Sequence, residues 1–390
     1  HRVGRHLIGE THAVASELAD YLLDGAPRVT VFPVGSLRRG CETCGDVDLL
    51  AVGANDALMT RFTSFPGVDR ILAHGTTKSS ILLHNTVQAD LRLVAPESTG
   101  AAAQYFTGSK SHNIALRDLA LQRGLKLNEY GLFRESDDRR LAGDTESEIY
   151  ETLGLAYVPP ELREHRGELF AAASGDLPAL IERADLKGDL HCHTTATDGK
   201  ADVETMAHAR HVRDIDARVD GVALLAGIEC DILADGTLDP SEDCLAELDL
   251  VVASVHSAFE QDEFQMTDRL LRAIESPVVD VMGHLTGRLL LRREPYRLRH
   301  DTVFDAAARL GVALEINSQT HRLDLSDIHA RMARERGVKL VITTDAHAPS
   351  DFDLLHWGIL VARRAWASPA DVMNTQSLVE LRASLRRHQP

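Results

Sequence analysis

Gly35-Ser36-Leu37-Arg38-Arg39-Gly40, closely followed by Gly45-Asp46-Val47-Asp48, is the stretch from which the first half of this 390-residue chain can be read. Just before it, residues 28–34 (Arg28-Val29-Thr30-Val31-Phe32-Pro33-Val34) are rich in β-branched and aromatic side chains, and residues 46–52 form a second such run. The glycine-containing stretch therefore connects two strands. Side chains alternate along a strand, so Asp46 and Asp48 point to one face and can share divalent cations. Residues 87–94 alternate Val87, Ala89, Leu91 and Leu93 with Gln88, Asp90 and Arg92, which predicts a third strand. From a neighbouring position in the sheet, Asp90 completes a cluster of three carboxylates.

Three hard oxygen donors of this kind suit two magnesium ions, one activating an attacking hydroxyl and one gripping a triphosphate. The Gly35-Ser36 turn can offer backbone N–H groups and the Ser36 hydroxyl to phosphate oxygens, with Arg39 as a bidentate clamp. Upstream, residues 10–23 place Val14, Leu18 and Leu22 at helical spacing ahead of the stop Asp24-Gly25-Ala26-Pro27. Downstream, residues 111–124 read as helical, and residues 141–155 contain an acidic helix start at Asp144-Thr145-Glu146. The most linker-like stretch lies between residues 159 and 185, with Pro159-Pro160, Gly167 and Ser174-Gly175-Asp176.

Beyond it the pattern changes. Short apolar runs at 186–193, 222–228, 248–254, 279–283, 313–317 and 340–344 alternate with helical or loop sequence such as 302–310 and 326–337, which predicts a parallel sheet, open or closed into a barrel. His193, Glu229, His256, His284, Asn317 and Asp345 come at or just beyond the C-terminal ends of these runs, where α/β barrels place their active sites. His191 and His193 face one way on their strand and Cys192 the other. With Asp198 in the following loop and the Asp345-Ala346-His347 pair, the set mixes imidazole and carboxylate donors, which suits manganese or zinc better than magnesium. Cys41-x-x-Cys44 has no second cysteine pair nearby and reads as two small loop residues rather than a zinc site.

The formal net charge of −17 excludes an indiscriminate nucleic-acid binder, because such proteins gain affinity from a cationic surface. Metal sites are built of carboxylates, so bound cations would offset part of this charge, and strips such as Arg38-Arg39, Arg292-Arg293 and Arg363-Arg364 could meet phosphates. Five cysteines give no disulfide framework. The apolar runs are too short to span a bilayer. A cytoplasmic protein without a membrane partner is the expectation.

The first half resembles the nucleotidyltransferase superfamily and, within it, the family X DNA polymerases related to DNA polymerase β. The match continues through Val87-Gln88-Ala89-Asp90-Leu91-Arg92, Tyr105-Phe106-Thr107-Gly108-Ser109, Asn113 and Leu125-Lys126-Leu127-Asn128-Glu129-Tyr130-Gly131. The resemblance implies that Asp46, Asp48 and Asp90 are catalytic and hold magnesium. It implies that Ser36 and Arg39 hold the triphosphate, that Tyr105 and Phe106 line the sugar and discriminate against ribose, and that Lys110 and Asn113 lie beside the incoming base. Cys44 stands where a family member can have a phosphate-contacting serine, and Gly35, Gly45 and Gly108 complete the nucleotide-binding set.

The second half resembles the PHP (polymerase and histidinol phosphatase) domain through five blocks, which begin at Gly188, Gly227, Ser254, Gly283 and Thr344 and contain His191, His193, Asp198, Glu229, His256, His284, Asp345 and His347. The resemblance implies a distorted seven-stranded β/α barrel with those residues around a three-metal cleft. The arrangement implied for the chain is an α/β and α+β multidomain protein: the end of a fingers-like region at 1–25, a palm at 26–110, a thumb at 111–160, a linker at 161–185 and a PHP domain at 186–390. The second half departs from the family in one block. Ala207-His208-Ala209-Arg210-His211 runs almost directly into residues 212–221, without the strand ending in Asp-His that supplies a further ligand. Either that segment is deleted or the chain as written omits residues there.

The function implied is gap filling in DNA repair, on gapped or primer-template DNA with deoxynucleoside triphosphates, joined to a 3′–5′ exonuclease or phosphoesterase with a possible cut at abasic sites. Arg288, Arg292 and Arg293 are candidate guides for the DNA strand. Two other readings stay open: a polymerase whose PHP domain is a structural platform, and a nucleotidyltransferase acting on RNA or a small molecule.

Overall fold

The strand that carries Asp46 and Asp48 and the strand that carries Asp90 are parallel neighbours inside a five-stranded sheet. The computed structural model describes residues 4–24, 26, 28–193 and 202–386, and it divides into two units, His1–Leu177 and Pro178–Pro390. In the first unit the sheet order is Thr30–Pro33, Asp46–Val52, Gln88–Val94, Lys78–Leu83, Val68–His74. The Asp46–Val52 and Gln88–Val94 strands pair parallel and the others antiparallel. Helix Ile8–Leu23 buries Val14, Leu18 and Leu22, the three residues whose spacing announced it.

The hairpin of Val68–His74 and Lys78–Leu83 was not expected from the sequence. Val68–His74 is an edge strand, exposed almost throughout and interrupted by register shifts, so it lacks the alternation that marks a half-buried strand.

Helices Thr99–Thr107, Lys110–Gln122, Glu146–Thr152 and Glu168–Ser174 and a three-stranded antiparallel sheet of Leu125–Asn128, Gly131–Arg134 and Arg140–Ala142 complete the unit. Thr145 and Glu148 form a capping box that starts helix Glu146–Thr152. Two buried polar knots hold these helices together. His112 Nδ1 lies 2.6 Å from Glu168 and Nε2 lies 2.9 Å from the Tyr150 hydroxyl, linking three helices through one imidazole. Glu146 receives Arg38 at 3.0 and 2.5 Å and Arg163 at 2.6 Å. Arg163 is fully buried.

In the second unit, Gly227–Asp231, Leu250–Ser254, Val281–Met282, Ala313–Asn317 and Leu340–Thr343 pair in that order, all parallel. Past the last strand, Cys192 forms a parallel bridge with Ala346. The described residues thus supply six strand positions where the resemblance implied seven. In a flat sheet the two ends of this order would lie about 24 Å apart, at about 4.8 Å per step. Instead His191 Nε2 approaches Glu229 at 3.5 Å, so the sheet is rolled until its two edges face each other. Among the described residues no strand joins those edges, which is where the missing Asp-His block would belong.

Replacing Glu146 by Gln leaves the buried Arg163 without a counter-charge, which costs roughly 3–5 kcal/mol at neutral pH. Burial by itself would raise the Glu146 pKa, but Arg163 and Arg38 hold it down at about 2, against an ordinary 4.5. The folded value lies below the unfolded one, so the ion pair stabilises fully above pH 4.5 and fades as pH falls toward 2. Urea unfolding is expected to separate wild type from Glu146→Gln widely at neutral pH and less near pH 3; equal separations would contradict the assignment.

Candidate functional site

Two sets of donors stand in the two units. In the first, Asp48 faces Asp90 directly across the parallel pair, and Asp46 is two residues earlier on the same strand and hence on the same face. Asp90 is buried, and both of its carboxylate oxygens are engaged: Lys78 Nζ lies 2.8 Å from Oδ2, and Gln88 Nε2 donates to Oδ1 at 3.1 Å. Burial opposes ionisation of Asp90, but the hydrogen bonds from Lys78, Gln88 and Ser80 outweigh it and lower its pKa. Asp48 has no such relief. Burial first, then the charges of Asp46 and Asp90, push it up to about 6. Burial and Asp90 raise Asp46 as well. A divalent cation would favour the charged forms of Asp46 and Asp48, which burial and the neighbouring carboxylates disfavour.

Gly35 opens the one-turn helix Gly35–Arg38 with φ +67°, and a Cβ there would stand 2.7 Å from Asp48 Oδ2. Glycine is therefore required both by the backbone and by the approach of the carboxylate. The leading N–H groups of that turn have no partner within it. Arg39 turns toward Glu164 (Nε to Oε1, 3.0 Å) and donates to the Thr107 carbonyl, beside Gly108. Cys44 is fully buried, with its sulfur toward the Cys41 carbonyl at 3.9 Å, while Gly45 is exposed. In this structure the Cys44 thiol makes no surface for a phosphate.

Helix Thr99–Thr107 ends in Tyr105 and Phe106, whose rings meet edge to face at 5.1 Å. The guanidinium of Arg92, on the Asp90 strand, lies 4.4 Å from the Phe106 ring centre. Asn113 donates to the Tyr105 carbonyl at 2.6 Å and accepts from Gln104 at 2.8 Å, so its amide holds the aromatic pair in place. Lys110 is exposed at the start of its helix.

In the second unit three donor groups each lie within 4.8 Å: His191, His193 and Glu229; His193, Asp345 and His347; and Glu229, His256 and His284. His193 and Glu229 are each shared by two groups. The imidazoles of His191 and His193 face each other, Nε2 to Nε2, at 3.1 Å. Glu229 stands 3.5 Å from both and reaches His284 at 2.9 Å through its other oxygen. Asp345 Oδ1 is 3.1 Å from His193. Asp198 lies outside the described residues. Two ring nitrogens in contact, ringed by carboxylates, need a proton or a cation between them, so this donor set fits a divalent metal that accepts both imidazole and carboxylate. Burial would lower the pKa of His191, but Glu315 and Glu229 raise it well above the ordinary value. His284 (φ +23°) and Asp345 (φ +50°) hold backbone conformations that L-residues rarely adopt, as strained residues at functional sites do.

Sequence reasoning missed the side chains that hold these donors. Glu315 is fully buried; it lies 2.6 Å from His191 Nδ1 and accepts from the His284 amide and the Thr343 hydroxyl, each at 2.6 Å. Asp231 lies 2.6 Å from His256 Nδ1, and Asp189 accepts from the His191 and Thr344 amides, each at 3.0 Å. The available signal was a charge inside an apolar strand: Glu315 shares a strand face with Asn317 in Ala313-Leu314-Glu315-Ile316-Asn317.

The front carboxylates do not converge to the same degree, since none of the three groups lies in the first unit. Lys78 already occupies Asp90.

Known proteins match both halves. The DNA polymerase beta thumb model matches residues 102–164. The DNA polymerase/3′-5′ exonuclease PolX of Bacillus subtilis (strain 168) is 34% identical over 420 aligned positions, covering 98% of this chain and 73% of its own length. Those positions outnumber the 390 residues here, so the relative has at least 30 without a counterpart. A probable phosphatase of Thermoanaerobacter sp. (strain X514) is 30% identical over 168 residues, which is 40% of this chain and 66% of that protein. The ternary P/T complex of Leishmania infantum polymerase beta covers 41% of this chain and 77% of that one, at 22% identity and a TM-score of 0.38.

Orientation of His191 by a buried carboxylate predicts that Glu315→Gln weakens manganese or zinc binding about 10- to 100-fold without removing a ligand. Competition with a chelating dye measures it, and unchanged affinity would show that Glu315 only fills space.

Proposed function

Because the chain belongs to the PolX family of DNA polymerases with 3′–5′ exonuclease activity, we propose that its two units divide those activities. The first extends a primer on DNA with deoxynucleoside triphosphates, and the second removes nucleotides from a 3′ end. The observation that carries this reading is the segregation of donor chemistry: three carboxylates on a parallel strand pair in one unit, and three convergent imidazole–carboxylate groups in the other.

Asp46, Asp48 and Asp90 would hold magnesium, and His191, His193, Asp198, Glu229, His256, His284, Asp345 and His347 would hold manganese or zinc. When bound, these ions supply charge compensation at phosphate oxygens and activate a hydroxyl or water. The remaining work falls to the chain itself. Gln88 orients Asp90, and Gly35 leaves the room that Asp48 needs. The ring edges of Tyr105 and Phe106 give a rigid wall for a sugar, and the Asn113 bond to the Tyr105 backbone fixes its position. Ser36, Arg39 and the N–H groups of the Gly35 turn would take a triphosphate once Arg39 leaves Glu164 and the Thr107 carbonyl. In the second unit Glu315 and Asp231 fix the ring orientation of His191 and His256, so that their Nε2 atoms face Glu229.

Gapped repair intermediates are the substrate this reading favours, with cleavage at abasic sites as a secondary use of the second unit. The protein acts as a monomer near the nucleoid. One observation favours a narrower reading, in which the second unit is a structural platform: among the described residues its rolled sheet lacks the strand between Cys192 and Gly227–Asp231. Elemental analysis separates the two, since a platform should retain fewer than two tightly held transition metals per chain.

Two single variants test the division of labour. Asp48→Asn is expected to lower primer extension at least ~100-fold and leave 3′ digestion intact, and His191→Ala the reverse. Equal loss of both activities in either variant would rule out two independent sites.

A further inference from the structure

The arginines after His284 are not equivalent. Arg288 donates to the Arg322 carbonyl at 3.0 Å and to that of Leu323, and Arg293 donates to the Gly287 carbonyl at 2.8 Å while stacking over Phe259 at 4.1 Å. Both are spent on holding loops. Arg292 differs. It is exposed on a tight turn closed by two backbone bonds between Leu289 and Arg293, at 2.9 and 2.7 Å, with Leu291 at φ +64°.

That turn is tied to the histidine site. Leu290 donates to the His321 carbonyl at 2.7 Å, and two residues before His321 the Gln319 amide donates to the carbonyls of Thr344 and Asp345 at 2.9 and 3.2 Å. The turn carrying Arg292, the loop carrying His321 and Arg322, and the ligand residue Asp345 therefore form one hydrogen-bonded block. Among the described residues the guanidinium groups of Arg292 and Arg322 have no carboxylate or carbonyl partner. The charges of Arg322, Arg292 and Asp345 all act on the half-buried His321, and that of Arg322 acts on Arg293, so these cations share one neighbourhood. Gathering like charges is unfavourable unless an anion joins them, and guanidinium is the side chain best matched to a phosphodiester.

We propose that Arg292 and Arg322 form a cationic rim that grips the phosphodiester backbone of a single DNA strand whose 3′ end enters the histidine site. The rim rests on the reading of the second unit as a nuclease. It holds the strand one or more phosphates away from the bond that breaks, so it governs strand affinity rather than the chemical step. It also offers a nucleic-acid substrate a local positive patch on a chain whose net charge is −17.

The test is the double variant Arg292→Gln/Arg322→Gln in the full chain with Mn²⁺. KM for 3′ digestion of a thymidine oligonucleotide should rise about tenfold with kcat nearly unchanged, while primer extension and hydrolysis of bis(p-nitrophenyl) phosphate, too small to reach the rim, stay at wild-type rates. The salt slope of oligonucleotide binding, log K against log [salt], should shrink by about 1.4, at about 0.7 for each single-strand phosphate that the variant no longer neutralises. An unchanged KM together with an unchanged slope overturns the rim. The slope needs no turnover, so it decides the rim even if the second unit hydrolyses nothing. Failure of the wild type to hydrolyse bis(p-nitrophenyl) phosphate would sink the nuclease reading alone.

Discussion

Like charges cannot be gathered in a dry place unless something positive stands among them, and that constraint shapes both units. Asp90 is held by Lys78, Glu146 by Arg38 and Arg163, and Glu229, Glu315 and Asp345 by a ring of histidines. The partners differ in kind, and the difference is functional. Arg163 is permanently charged and completely buried, so its pairing with Glu146 is structural. Lysine and histidine can yield their place to a divalent ion, by swinging away or by losing a proton.

The two donor sets suit different ions for elementary reasons. Oxygen-only donors from two adjacent strands suit a hard, strongly hydrated cation that keeps waters and takes the rest of its ligands from a substrate phosphate. Imidazoles fixed from behind by Glu315 and Asp231 suit ions that bind nitrogen well, and their convergence with Glu229 gathers the donors in one place. Rolling of the parallel sheet makes this convergence possible, because it brings residues from opposite edges, His191 and Glu229, within 3.5 Å.

Much of this was legible in the sequence. Period-2 alternation placed Asp46, Asp48 and Asp90 on strands, and helical spacing of Val14, Leu18 and Leu22 placed the first helix. The donors that gather in the second unit were legible where they close apolar runs, as Glu229, His256, His284 and Asp345 do. What was not legible depends on contacts between residues far apart in the chain. Lys78 lies on a strand whose neighbour is an exposed edge, so nothing local announced its pairing with Asp90. Glu315 is 124 residues from His191, and Arg39 finds Glu164 125 residues away. The arginines after His284 looked alike as a string, yet two hold loops and one stands free on a turn among the described residues. A one-dimensional pattern gives the type of each group but not which of its bonds are already taken.

Cation replacement at the histidine set is the claim on which the rest leans, and it can be observed directly. A crystal grown with manganese and measured at the metal absorption edge is predicted to show anomalous density at the three donor groups, with the His191 and His193 nitrogens turned to an ion instead of to each other. Absence of density there, with those two rings still in contact and Glu229 still hydrogen-bonded to His284, would contradict the account.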